Sequence, residues 1–230
     1  MKRCKYTGVL LAVVAMFGVS VQADITTNTV TTSNSTATYG DLDGVAIDFD
    51  STVRAAANWT PDLVAGDEYT IKSVGFRVNT NHGKFGSTVD IYLGVYTGLS
   101  GNTLSGFEGV SDSAVTLTDA SGVVSATWNF TGMTVTPEAN PGSGGDQRYF
   151  VFQTGTAALT EISGTRDIPL MRNGQGYATR LSGVLRESGL VATGNRSLDY
   201  TATLTIPEPA SLGLIALIGM GLVALRRFHI

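Results

Sequence analysis

Val74, Phe76 and Val78 stand two residues apart within the stretch 69–78, and Val89, Ile91, Leu93 and Val95 repeat the spacing in 88–97. Successive side chains of a β-strand point to opposite faces, whereas a helix returns to one face about every 3.6 residues, so this period predicts strands with one buried face. In the second stretch Asp90, Tyr92 and Tyr96 fall on the other face.

Further strands are predicted over 45–49, 114–118, 123–130, 148–153, 177–185 and 198–206, where Val, Ile, Thr and aromatic residues concentrate. Turn-forming clusters separate them, among them Thr97-Gly98-Leu99-Ser100-Gly101-Asn102 and Asn140-Pro141-Gly142-Ser143-Gly144-Gly145-Asp146. Eight or nine such strands without a long helical pattern between them predict an all-β, antiparallel β-sandwich, of the jelly-roll kind. No repeat of fixed period and no second domain boundary interrupts it.

The two ends follow different rules. Lys2, Arg3 and Lys5 precede an apolar run, and Val21-Gln22-Ala23 supplies short residues ahead of a cleavage point. That order predicts a signal helix in residues 1–23, removed by signal peptidase between Ala23 and Asp24. Cys4 leaves with it, so the mature chain has no thiol and no disulfide, and its hydrophobic core must carry its stability. The 182 residues of 24–205 suffice for one such domain, because chains of this size bury roughly 70% of their unfolded surface.

Residues 210–225, ASLGLIALIGMGLVAL, carry no charge and are closed by Arg226 and Arg227. As a helix they extend about 24 Å, a short span of a hydrocarbon core about 30 Å thick. Charge after the helix holds the tail, 226–230, in the cytoplasm and the domain outside. Ahead of the helix, Ile206-Pro207-Glu208-Pro209 is an extended strap, since each proline fixes its own φ and disfavours helix in the residue before it.

A Pro-Glu-Pro strap, a short apolar helix and an arginine pair, in that order, resemble the PEP-CTERM sorting signal of Gram-negative and related bacteria. The resemblance covers 206–230 and implies recognition through Pro207, Glu208 and Pro209 by an exosortase, a membrane-embedded cysteine peptidase often found in strains that make exopolysaccharide. Arg226 and Arg227 match its basic cluster; Phe228-His229-Ile230 extend beyond it. The stretch 58–153 also resembles β-sandwich domains of surface proteins with interchangeable anchors. That similarity rests on strands such as Ile91-Tyr92-Leu93-Gly94-Val95-Tyr96 and Arg148-Tyr149-Phe150-Val151-Phe152.

Little in the domain points to catalysis. His82 is its single histidine and no Gly-x-Ser-x-Gly elbow accompanies it, which leaves a Ser-His-Asp triad without parts. Zinc lacks Cys and His ligands. Asp41 and Asp43, around a turn closed by Gly44, are the candidate calcium ligands, without the closing glutamate of a twelve-residue loop. Trp59, Tyr92, Tyr96, Trp128 and Tyr177 are candidate sugar-stacking rings. Between Asp24 and Pro209 stand nineteen acids and ten bases, net −9, a balance that excludes nucleic-acid binding through phosphates.

The sequence therefore predicts a non-enzymatic surface or extracellular-matrix protein, exported across the inner membrane and anchored transiently through 210–225. Its expected partners are signal peptidase and exosortase, with no resident cofactor other than the calcium candidate. The alternatives are a carbohydrate-binding module acting on exopolysaccharide and, third, a polysaccharide-acting enzyme using a carboxylate pair.

Overall fold

The computed structural model describes residues 24–27, 38–49, 59–60, 63–81, 83, 85–86, 88–120, 122–137, 147–173, 183–191, 197–198 and 200–206. Among them sixteen strands form two antiparallel sheets. The nine-stranded sheet A takes β1 (Asp24–Thr27), β2 (Thr38–Leu42), β4 (Trp59–Thr60), β5 (Tyr69–Asn79), β9 (Val123–Asn129), β10 (Thr134–Val135), β12 (Ile168–Asn173), β15 (Ser197–Leu198) and β16 (Tyr200–Thr205). The seven-stranded sheet B takes β3 (Gly44–Asp48), β6 (Val89–Ser100), β7 (Thr103–Val110), β8 (Val115–Leu117), β11 (Gln147–Gln153), β13 (Gly183–Arg186) and β14 (Gly189–Val191). Asp24–Thr205 is one compact unit.

The alternation that predicts β5 and β6 is the alternation observed. Val74, Phe76 and Val78 on one strand and Ile91, Leu93 and Val95 on the other are buried between the sheets. Phe150 and Phe152 join them from sheet B, with Phe49 just after β3, and Trp128, Tyr200, Ala202 and Leu204 from sheet A. The aromatic centre spans both layers: Phe76 and Phe152 meet edge-on with ring centroids 5.6 Å apart, and Trp128 lies 5.7 Å from Phe152. Trp128 also donates its indole N–H to the Ile91 carbonyl of the opposite sheet at 2.7 Å. Two faces of this kind, in β-strands joined face to face, make the β-sandwich arrangement.

β5 keeps its inward face over Tyr69 and Ile71 and again over Val74, Phe76 and Val78 by inserting one residue at Lys72. The pairing with β16 shifts there, from Ser73 opposite Thr203 to Ile71 opposite Leu204. This is a β-bulge, which lets a strand resume alternation after one extra outward residue.

The structure departs from the sequence reading in three places. Residues 97–102, expected as a turn, belong mostly to β6, which runs to Ser100 and turns on Gly101 and Asn102 into β7. Thr and Gly there lie in a long ladder, with Gly98 opposite Ser105 and Leu99 opposite Leu104, so pairing overrides local turn preference. Tyr96, expected on an outer polar face, is fully buried. Sheet B has a second apolar cluster on its far side, formed by Ala46, Tyr96, Leu104, Tyr149, Val151, Ile162 and Leu185, with Leu99 and Leu159 packed on it. The third departure is number: β2, β7 and β12 carry no strong alternation and were not among the strands expected. The expected 177–182 part of a strand, the signal helix 1–23 and the membrane helix 210–225 lie outside the described residues. Among the described residues no helix is long and apolar enough to cross a membrane.

Segment 154–167, between β11 and β12, covers the far-side cluster while passing from sheet B to sheet A. Leu159 donates its N–H to the Tyr96 hydroxyl at 2.7 Å, Leu104 donates to Thr160 O, and Ile162 donates to Asn102 O. Gln153, 1% exposed, turns its amide onto the carbonyls of Gly155 and Ala157. Its side chain fits because residue 94 is glycine: a Cβ there would lie 2.4 Å from Gln153 Oε1.

Trp128→Phe is expected to lower the unfolding free energy by about 1–3 kcal/mol, because the Ile91 carbonyl loses its indole donor. Trp128→Ala should lower it by about 3–5 kcal/mol through the added cavity. Val64→Ser, at a 55% exposed position, should stay within about 0.5 kcal/mol. Urea titration of the three variants checks the order.

Candidate functional site

β2 belongs to sheet A and β3 to sheet B, and one residue, Asp43, separates them. A chain that changes layers in one step turns its backbone polar groups away from both ladders, so they need other partners. Asp43 finds them on two elements. Its N–H donates to Leu185 O of β13 at 3.0 Å, and its carbonyl accepts the Phe152 N–H of β11 at 2.9 Å.

The side chain is held equally closely. Asp43 is 4% exposed, and its Oδ1 accepts the Thr165 hydroxyl from the segment ahead of β12. Around it, Asp41, Asp167, Arg186, Glu187 and Ser188 complete a groove of about 600 Å³. The β13–β14 turn brings Arg186, Glu187 and Ser188. Arg186 packs over Gly40, whose φ of +129° is a conformation that side-chain-bearing residues rarely adopt. Gly189, at φ +100°, seats the same turn against Gly101 of the β6–β7 turn, where a Cβ would come within 2.3 Å of a carbonyl oxygen.

The electrostatics follow from burial. Removal from water disfavours the charged form of Asp43 most; the Thr165 hydroxyl works the other way. The negative charges of Asp167 and Glu187, and a hydrogen bond shared with the Asp167 carboxyl, add to the upward push. The Asp43 carboxyl is thereby raised from 3.8 to about 6. The groove thus holds an acid that exchanges a proton near neutral pH, beside further carboxylates and one guanidinium.

Asp41 and Asp43, the calcium candidates, both line this groove. Among the described residues no group of three or more His, Cys, Asp or Glu side chains converges as a metal site needs. Asp43 Oδ1 is engaged by Thr165. Of the candidate stacking rings, Trp128 and Tyr96 are fully buried and present no face to a sugar, and Tyr92 is partly buried. His82, Tyr177 and the Trp59 side chain lie outside the described residues, as do Ala23, Pro207, Glu208, Pro209, Arg226 and Arg227. Asp24 opens β1, and its carboxylate pairs with Lys72 Nζ at 3.1 Å.

Thr165, Asp167, Arg186, Glu187 and Ser188 were not among the sequence candidates. Thr165 stands 122 residues from Asp43, and neither local spacing nor composition links the two. The signal that existed was Asp43-Gly44: an acid followed by a glycine whose added Cβ would lie 2.2 Å from Phe150 O, at a crossing too tight for another residue.

The raised Asp43 carboxyl sets a direction for stability. Between about pH 4 and 6 the folded chain retains a proton that the unfolded chain releases, so this group's contribution declines as pH rises through that window. Asp43→Asn, neutral throughout, is expected to be more stable than the parent at pH 7.5 by about 1–3 kcal/mol and to lose this advantage near pH 4. Denaturation curves at the two pH values check the sign, and an advantage independent of pH would contradict it.

No protein-family model, no curated protein and no solved structure matches the chain.

Proposed function

We propose that this chain is an exported, non-enzymatic protein of the cell surface or extracellular matrix, sorted by a PEP-CTERM signal and processed by an exosortase. The observation that carries the reading is the order of parts in 206–230: Pro207-Glu208-Pro209, the uncharged stretch 210–225, then Arg226 and Arg227. Signal peptidase removes 1–23, the apolar tail holds the precursor in the inner membrane, and the sorting peptidase frees the domain to the envelope surface or beyond.

The fold supports this reading in a specific way. β16 pairs with β5 and with β1 up to Thr205, so every described strand precedes the strap. A cut at the strap removes none of the described strands. The jelly-roll form is part of the same reading, supported by sheet neighbours drawn from distant parts of the chain, such as β3 beside β11 and β1 beside β16.

A second reading, a carbohydrate-binding module acting on exopolysaccharide, draws on a notch in the outer face of sheet A. Thr127, Gly75 and Thr201 stand in one row across three strands, and Ser125 and Arg77 adjoin them. Residue 75 is glycine, and the Thr127 hydroxyl lies over it: a Cβ there would lie 2.9 Å from Thr127 Oγ1. Hydroxyls and a guanidinium around a notch are groups that hydrogen-bond sugar hydroxyls.

In the native host, mass spectrometry of the mature protein is expected to find a C-terminus within or close to the strap, with Arg226 and Arg227 absent. Combined Pro207→Ala, Glu208→Ala and Pro209→Ala substitution should leave the tail attached. Recovery of Arg226 and Arg227 in the mature unsubstituted protein would refute the processing reading. For the second reading, a glycan array with and without calcium should give binding that Thr127→Val weakens at least several-fold; silence in both conditions counts against it.

A further inference from the structure

The two points at which the precursor is expected to be cut are neighbours in the fold. Asp24, the first residue after the signal, is the Cα partner of Thr205, the last residue of β16. Paired residues of antiparallel strands have Cα atoms about 4.5–5.5 Å apart, so Asp24 and Thr205 lie side by side at one pole of the sandwich. Two further strands, β5 and β10, end there. Thr205 also pairs with Thr70, β5 starts at Tyr69, and Tyr69 pairs with Val135 of β10.

Loop 63–68 caps this pole. Val64 donates its N–H to the Tyr69 hydroxyl at 2.8 Å, and Gly66 donates to Pro137 O at 2.9 Å. Leu63 is buried, while Val64 at its side is 55% exposed, and Asp67 and Glu68 are exposed. From Ile206 to the first residue of the apolar stretch, Ala210, the chain covers four residue steps, about 14 Å when fully extended. The opposite pole, where β5 ends at Asn79 opposite Val123, is separated by the 11 residues of β5, or about 35 Å.

We propose that the pole formed by Asp24, loop 63–68, Val135 and Thr205 is the membrane-facing surface of the precursor, and that the Asn79–Val123 pole points away from the lipid. The inference rests on the sorting reading for its tail, and on the pairing of β1 with β16 for its geometry. It places both peptidases at the same pole. It also sets a limit on the second cut: β16 is held on both sides up to Thr205, so the ladder leaves no extended substrate before Ile206. Asp24, Asp67 and Glu68 give this pole an acidic character, with Lys72 engaged by Asp24. Anionic headgroups repel such a surface, so the strap, and no adhesion of the pole itself, keeps it near the bilayer.

The test uses the full-length chain carrying Cys4→Ser, inserted into liposomes containing a headgroup-attached quencher, with a fluorophore on Val64→Cys or on Asn81→Cys. Quenching is expected to be at least several-fold stronger at position 64 than at 81. Equal quenching, or stronger quenching at 81, overturns the proposal. A second arm joins an unrelated membrane helix directly after Pro209 in place of 210–230. The same 64-over-81 pattern is expected there, and its absence overturns the proposal in that arm as well. Failure of the native tail to insert, with the pattern intact in the second arm, sinks the sorting reading and leaves the pole assignment standing.

Discussion

The sandwich depends on a contact made between its layers by the indole of Trp128. A core without disulfides has to be held by packing alone, and here Trp128, Phe76 and Phe152 form a three-ring centre contributed by β9, β5 and β11. Each large aromatic ring buries much apolar surface, and the tilted and edge-on meetings add a smaller directional preference. The indole hydrogen bond to Ile91 does something packing cannot. It fixes β9 to β6 at one position along the strand, where a slip of one residue would expose every inward side chain.

Once that centre is set, sheet B must deal with its other face. β11 is buried on both sides: Phe150 and Phe152 enter the central core, while Tyr149 and Val151 enter the far-side cluster. Segment 154–167 covers that cluster and carries the chain across to β12, and its contacts determine where Thr165 and Asp167 arrive. The groove around Asp43 is thus a consequence of covering the far side of sheet B. Its acid is buried because β2 and β3 change layers at that residue, and its proton affinity follows from the burial.

Legibility from sequence varied with the physics of each element. β5, β6 and β9 were readable because each has a face in the central core that imposes a period of two, and β11 because its run of aromatic and β-branched residues, buried on both faces, is strand-forming by composition. β7 and β12 were not, since Thr103-Leu104-Ser105-Gly106-Phe107 and the Pro169-containing β12 owe their strand form to pairing with neighbours already in place. The proline falls where β12 pairs with the short β2, and residue 169 gives up one ladder donor there. Tyr96 misled for a related reason. Its alternation was read correctly, but a second apolar layer covers the face assumed to be wet. Of the groove, Asp41 and Asp43 were visible as a local cluster, while the residues that give Asp43 its environment come from segments more than 120 positions away.

By itself the sequence determined the chemistry that acts locally: the alternation that makes strands, the absence of thiols from residue 24 onward, the acidity of that stretch, and the order of basic, apolar and Pro-Glu-Pro segments at the ends. These are properties of neighbouring residues and need no fold to exist. Tertiary structure alone decided which strands share a sheet, that Tyr96 and Trp128 are buried and offer no sugar platform, that Asp43 meets Thr165 and Asp167, and that Asp24 lies beside Thr205. Each of those depends on contacts between distant parts of the chain. Such contacts are set by how two sheets bury their faces together, and no short stretch of sequence encodes that.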